Sequence, residues 1–262
     1  MVMKPTDYYT KIWRSPEKEI PVTDLVEYVR LLTNVAGILY RGHAKADWHL
    51  EPSILRFVQT TTRSELHEEP TELDEIELEL LGQFAKSAPM FLEQIPTSVW
   101  EWLTLAQHHG LPTRLLDWTT NPLVALYFAV APFEDDTDCA VWQYHSSGND
   151  EIKPTTRGPL YSLTPQDGKT MRAFTRRNQI AILRPRHIDQ RVRSQDSIFT
   201  VHPLGPTVTF EASSLRKVVV PREYRHSIRS QLNRVGIHGG SVFPDLGGLA
   251  QQVKEYVYRL IG

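Results

Sequence analysis

The sequence predicts an α+β fold, a single domain with a mixed β core and flanking helices. Two observations point there. Helical apolar spacing dominates the first 130 residues, whereas β-branched runs such as SIFTV (197–201) and LRKVVVP (215–221) come late. The order of helices and strands also lacks the regular alternation of a doubly wound sheet. No repeat, low-complexity tract or clear linker interrupts the chain, so we read 1–34 as an N-terminal helical segment and 35–262 as the main unit. With 40% hydrophobic and 23% charged residues and six tryptophans, this is the composition of a soluble globular protein.

The elements follow in order. Thr23 is a candidate N-cap for a helix through Leu25, Tyr28, Val29 and Leu32. The apolar run VAGILYRGH reads as a strand ending in Arg41-Gly42-His43, and DWHLEPSILRF carries a short helical turn after Pro52. Thr71 to Gln94 reads as one long amphipathic helix, with Leu73, Ile76, Leu80 and Phe84 on one stripe. Ser98-x-x-Glu101 is a capping-box pattern for a helix running to about His109, which Gly110 and Pro112 stop. Asn121-Pro122 opens the next helix. DCAVWQYH (138–145) is a strand, and helices over Glu223–Arg234 and Gly247–Leu260 close the chain.

Several functions are set aside at once. No apolar run approaches the ~20 residues that span a bilayer, and MVMKPTDYYTKIWR has no apolar core of a signal peptide. The single cysteine, Cys139, excludes an internal disulfide and cysteine-rich zinc sites, and fits a reducing cytoplasm. The phosphate-cradle, dinucleotide, zincin and hydrolase-elbow motifs are all absent. Adjacent residues on a helix point in different directions, so His108-His109 is not taken as a metal site, and no metal is expected.

Charge is unevenly spread. Residues 1–150 carry a net charge of −12 and residues 151–262 one of +10. The acid is concentrated in ELHEEPTELDEIELE (65–79); the base includes seven arginines, Arg172, Arg176, Arg177, Arg184, Arg186, Arg191 and Arg193. Either that arginine-rich stretch receives a phosphate-bearing partner, or the two halves pack and neutralise each other.

Three segments carry candidate chemistry. Arg41, at a strand end beside a glycine that permits close approach, offers a planar fork for a pyrophosphate or carboxylate, or forms an ion pair with Asp47 or Asp117. Asp117-Trp118-Thr119-Thr120-Asn121 places two hydroxyls and an amide at a helix N-terminus, where they either orient a ribose or provide local capping. Gln195, before the strand 197–201, either reaches a sugar hydroxyl or bonds backbone and solvent.

Taken together these stretches resemble the FRG domain family. The resemblance rests on Tyr40-Arg41-Gly42, on Trp48-x-Leu50-x-Pro52-Ser53-x-x-x-Arg56 and on Gln107-His108-His109-Gly110-Leu111-Pro112-Thr113-Arg114-Leu115-Leu116-Asp117-Trp118-Thr119. Gln195-x-x-x-Phe199-Thr200 and Phe243-Pro244-Asp245-Leu246-x-Gly248 extend it over roughly 38–255. A weaker similarity is to ADP-ribosyltransferases, which implies an ADP-ribosyltransferase-like fold and NAD as substrate. It casts Arg41 as the group that binds the NAD pyrophosphate, Gly42, His43, His108 and Arg114 as shaping the cofactor pocket, and Thr119 and Thr120 at the nicotinamide ribose. Gln195 stands where such enzymes carry a catalytic glutamate, and Asp117 is the best alternative acid. The expectation is an ADP-ribosyltransferase acting on nucleic acid, RNA favoured over DNA or a protein acceptor, in a toxin or phage-defence setting with an inhibitory antitoxin partner. The alternative is a non-catalytic RNA- or nucleotide-binding module.

Overall fold

The computed structural model describes residues 19–32, 37–61, 73–131, 136–145, 151–152, 163–177, 180–184, 194–204 and 215–261. They form one mixed, mainly antiparallel sheet with helices packed against it. The strands are β1 (Glu19–Pro21), β2 (Ile38–His43), β3 (Leu115–Thr119), β4 (Cys139–His145), β5 (Glu151–Ile152), β6 (Ala181–Leu183), β7 (Ser197–Val201) and β8 (Leu215–Val220). Their spatial order is β1-β8-β4-β2-β3-β7-β6-β5, with parallel pairing only at the two edges, β1 with β8 and β5 with β6.

The helices are α1 (Leu25–Arg30), α2 (Ser53–Thr61), α3 (Leu73–Ser87), α4 (Val99–His108), α5 (Pro122–Val130), α6 (Pro165–Arg177), α7 (Arg222–Arg234), α8 (Gly239–Val242) and α9 (Leu246–Ile261). Several boundaries differ from the sequence reading for local reasons. Asp24, not Thr23, caps α1, because its carboxylate accepts from Glu27 N. The long helix expected to reach Gln94 ends at Ser87 and continues as a 3-10 turn, Ala88–Phe91, since Pro89 cannot donate to an α-helical ladder. Ser98 caps α4, but the Glu101 carboxylate reaches back to Thr97, one residue earlier than a capping box requires. The turn after Pro52 is a full helix, α2. Asn121 caps α5 as expected, accepting from Leu123 N and Val124 N, with Pro122 first in the helix.

Strand alternation sorts the core into layers. On one face, Tyr40, Cys139, Val141, Val218 and Val220 pack under α5 and α7. Further along that face Leu115, Ala181, Leu183, Phe199 and Val201 pack under α3, α4 and α6. The opposite face carries Leu39, Leu116, Trp118, Trp142, Tyr144 and Ile198. Thus the acidic helix α3 and the basic helix α6 share one core, and Thr175 of α6 donates to Asp74 of α3. The two oppositely charged halves of the chain meet there.

The sheet has a weak seam. β2 pairs with β4 over six residues and β3 with β7 over five, but β2 and β3 are paired only at Tyr40 and Thr119. Beyond that pair the two halves part. Gly42 sits beside the opening because α5 lies directly on β2. A Cβ there would run into Ala125 O, and would come within 2.7 Å of Ala129 N and 2.9 Å of Phe128 Cβ. The close approach that the glycine allows is therefore that of the protein's own helix.

Candidate functional site

A cleft of about 370 Å³ opens at this seam, lined by residues from β2, β3, the ends of α4 and α8, the C-terminal half of α5 and the entry to β7. It brings together Arg41, Gly42, His108, Asp117, Thr119 and Gln195, six residues separated by up to 154 positions in the chain. Among the described residues that line it, Asp117 is the only carboxylate and Arg41 the only guanidinium.

Arg41 spans the opening. Its Nη1 donates to the Asp117 carbonyl at 2.6 Å and lies 3.4 Å from Asp117 Oδ2, while its Nε donates to His43 Nε2 at 3.0 Å. Because His43 accepts through Nε2, its ring must be neutral with the proton on Nδ1. Burial, then the Arg41 cation, lower the His43 pKa to about 3, so the ring stays neutral throughout the physiological range. The Arg41 guanidinium is itself pulled below its ordinary value by burial, an effect that Asp117 opposes. Of the two partners the sequence offered for Arg41, the structure selects Asp117 and not Asp47.

Asp117 is oriented from its other side. Gln107 Nε2 donates to Asp117 Oδ2 at 2.8 Å, and Gln107 Oε1 accepts from Thr113 Oγ1 at 2.6 Å. A chain of hydrogen bonds therefore runs from Thr113 through Gln107 and Asp117 to Arg41 and His43. Thr113 is in turn fixed by Ser53, whose hydroxyl accepts from Thr113 N. The Trp48-to-Ser53 and Gln107-to-Thr119 stretches are thus two parts of one construction.

Thr119 Oγ1 donates to Gln195 O at 2.6 Å and accepts from Asn121 N at 3.0 Å, so its hydroxyl stitches β3 to the β7 entry as well as facing the cleft. The Gln195 side chain lines the cleft and donates to Val242 O at 3.4 Å. Next to it Asp196 takes a φ of 45°, the only non-glycine positive φ among the described residues. Thr120 is exposed and outside the cleft lining, its backbone N donating to Asp196 O. His108 faces the cleft; His109 packs towards Phe84 instead.

Arg114 is a correction. Expected near the ligand, it is fully buried away from the cleft, ion-paired through Nη2 to Asp74 and through Nε to Glu77, with Nη1 donating to Thr175. It follows the α4 turn and enters β3 with its side chain under α3, which explains both its depth and its two carboxylates. Of the arginine-rich stretch, Arg172 is half-buried and Arg176 and Arg184 are exposed; Arg177 closes α6, and Arg186, Arg191 and Arg193 lie outside the described residues.

The sequence reading missed the aromatic wall. Phe128 of α5 and Phe243 meet edge-to-face at 5.7 Å between ring centroids and line the cleft with Tyr40. Phe243 stood in a quoted motif and Phe128 in the helix that Asn121-Pro122 opens, but only the packing of α8 beside α5 brings them together. Gln107 was likewise within a quoted motif, and its bridging role depends on the Gly110 turn, where φ is +82°.

Fold and site together define a mixed-sheet protein with a guanidinium and an aromatic wall at a split between its central strands. Residues 36–138, from just before β2 past the end of α5, match the profile of the FRG domain. The match takes in Arg41, Gln107, Asp117, Thr119 and Phe128; Gln195 and Phe243 lie beyond it. No curated protein and no solved structure matches the chain. Among the described residues no group of three or more His, Cys, Asp or Glu is placed to hold a metal ion, and no helix is long and apolar enough to cross a membrane.

Proposed function

We propose that this cleft binds NAD and that the protein is an ADP-ribosyltransferase, with a nucleic acid, RNA in particular, as acceptor. The observation that carries the reading is the convergence of Arg41, Thr119 and Gln195 on one cleft at the β2–β3 seam. Arg41 supplies the charge for the pyrophosphate, and the Phe128–Phe243 wall offers an apolar aromatic surface against which a nicotinamide ring can pack.

In the reaction the C1′–N bond of the nicotinamide riboside breaks, and the pyridinium nitrogen takes the bonding pair to leave as neutral nicotinamide. An acceptor oxygen or nitrogen then bonds C1′ and releases its proton. Positive charge builds on the ribose, and a carboxylate nearby stabilises it. Asp117 is the acid available in the cleft; Gln195 offers a neutral hydrogen-bonding contact. The exposed Arg176 and Arg184 suit a phosphate-bearing acceptor. A toxin or phage-defence role, held in check by an antitoxin, follows from the resemblance alone.

The second reading, a nucleotide- or RNA-binding module without catalysis, is favoured by one feature: Asp117, the lone acid in the lining, is already engaged by Arg41 and Gln107. One experiment separates the two. Purified protein is incubated with NAD labelled in the ADP-ribose part, alone and with RNA, DNA or protein, and both transferred label and free nicotinamide are measured. Transfer to RNA that Arg41→Ala and Asp117→Asn abolish supports the enzyme. Intact NAD combined with salt-sensitive RNA binding supports the module.

A further inference from the structure

On the face of the sheet away from α5, a row of residues continues from Arg41 beyond the cleft. Arg41, Trp142, Lys217 and Glu19 are successive cross-strand partners along one row of β2, β4, β8 and β1. Lys217 Nζ lies 5.4 Å from the centre of the Trp142 ring and pairs with Glu19. His43, two residues along β2 from Arg41, stands edge-on to both Trp142 and Trp48, with ring centroids 6.4 and 6.1 Å apart.

Trp48 differs from its neighbours in one respect. Trp142 is buried, whereas Trp48 is 50% exposed. Yet it does not sit on a loose loop. Ala46 N donates to Asp138 O, Trp48 N to Lys45 O, Leu50 is 1% exposed, and Ser53 is bonded to Thr113. A large indole is thus held open to solvent on a fixed support. The His43 ring links the two, standing edge-on to Trp48 and accepting from Arg41 Nε, and Arg41 Nη2 makes no hydrogen bond among the described residues. The exposed Arg56 is close enough for its charge to act on both Arg41 and His43. An open aromatic face beside clustered cations is the arrangement that stacks a nucleobase while its phosphate is held by charge.

We infer that Trp48 is the stacking platform for a nucleobase whose phosphate is held by Arg41, so that the site continues from the cleft past His43 onto the opposite face of the sheet. The inference rests on the reading of Arg41 as a phosphate anchor. The base belongs either to the adenosine end of NAD or to a single-stranded RNA, and the two sources share this chemistry.

The test is calorimetric titration of the full chain with ADP-ribose, with inorganic pyrophosphate as the probe that lacks a base, and with a short single-stranded oligoribonucleotide. Trp48→Ala is compared with Trp48→Phe, which keeps an aromatic face, and with Arg41→Ala. Loss of one stacked base corresponds to about a 5- to 150-fold weakening. A loss of that size for Trp48→Ala, with Trp48→Phe close to wild type and pyrophosphate binding unchanged, supports the platform. Whether ADP-ribose or the oligonucleotide shows the loss identifies the source of the base. Equal affinities in wild type and Trp48→Ala for both base-carrying ligands, with binding still dependent on Arg41, overturn the platform and leave the Arg41 reading intact. If wild type binds none of the three, or binds them regardless of Arg41→Ala, the phosphate anchor falls and the platform with it.

Discussion

Replacing Arg114 with methionine separates a structural from a ligand-binding role for an expected site residue that the fold buries away from the cleft. The guanidinium is 0% exposed, and its two carboxylate partners, Asp74 and Glu77, are 4% and 1% exposed. Methionine fills much of the space but leaves two buried acids without their cation. Breaking a buried ion pair from one side costs about 3–5 kcal/mol, because the abandoned charge stays desolvated. That is a large share of the roughly 5–15 kcal/mol that holds a typical domain together. The assay is urea unfolding followed by tryptophan fluorescence, with the midpoint compared at constant slope. Arg114→Met should lose several kcal/mol. Adding Asp74→Asn and Glu77→Gln to it should restore much of the loss, since the stranded charges are then gone. ADP-ribose affinity, measured under conditions where the variant is folded, should stay at the wild-type value. A loss under about 1 kcal/mol, the size of an exposed pair, or a selective loss of ligand affinity at full stability, would refute the structural role.

Three further predictions follow from the geometry. Gly42→Ala should cost at least the ~1–3 kcal/mol of an overpacked core, because the atoms in its way, Ala125 O and Ala129 N, are backbone and cannot turn aside; an unfolding midpoint equal to wild type would refute the close packing of α5 on β2. His43 and His202 are each lowered to about 3, chiefly by burial and then by Arg41, so the folded state keeps them neutral while the unfolded chain protonates them. The stability they contribute is fully present above pH ~6.5 and declines as pH falls towards 3, at up to about 1.4 kcal/mol per pH unit for each. His202→Gln should therefore flatten the fall in unfolding free energy between about pH 6 and 4, and an unaltered slope would contradict its burial as a neutral ring. Gln107→Ala removes the bonds to Thr113 and Asp117; if Asp117 assists nicotinamide departure, kcat for NAD cleavage should fall more than KM rises, and a pure KM effect would count against that role.

Much of this architecture could be read from the chain. Asn121-Pro122 fixed the start of α5 because side-chain capping and proline geometry are local, and SIFTV matched β7 residue for residue because β-branched runs favour strands. The short strands β1, β5 and β6 at the two ends of the sheet, only two or three residues long, carried no period to detect, and they exist because neighbouring strands offer them unpaired backbone groups. At the site, the sequence supplied Arg41, Asp117 and Thr119 through recognisable turns and strand ends. It could not supply the pairing of Phe128 with Phe243 or the span of Gln107, which depend on contacts between elements. The same limit explains Arg114. The resemblance set it at the pocket, but the position of α3 beside the start of β3 carries its side chain into the core.

Those two arginines also show how the fold assigns opposite uses to one side chain. Arg114 meets two carboxylates in a dry interior, so its charge is cancelled where it stands. Arg41 is held just as firmly, but mainly by neutral acceptors: a backbone carbonyl at 2.6 Å and an imidazole nitrogen at 3.0 Å. Its only carboxylate lies 3.4 Å away, beyond the 2.7–2.9 Å of a strong charge-assisted bond, and is 52% exposed to screening solvent. Position is therefore fixed without neutralising the charge. Under the proposed reading, an incoming phosphate would find a guanidinium already aimed, with Nη2 unbonded among the described residues, and would have only a weak internal competitor to displace. The opening of the sheet past Tyr40 and Thr119 is what makes this arrangement available. Had β2 and β3 stayed in register, the carbonyl of Asp117 would have been drawn into the ladder, and Arg41 would have lost the neutral anchor that leaves its charge unspent.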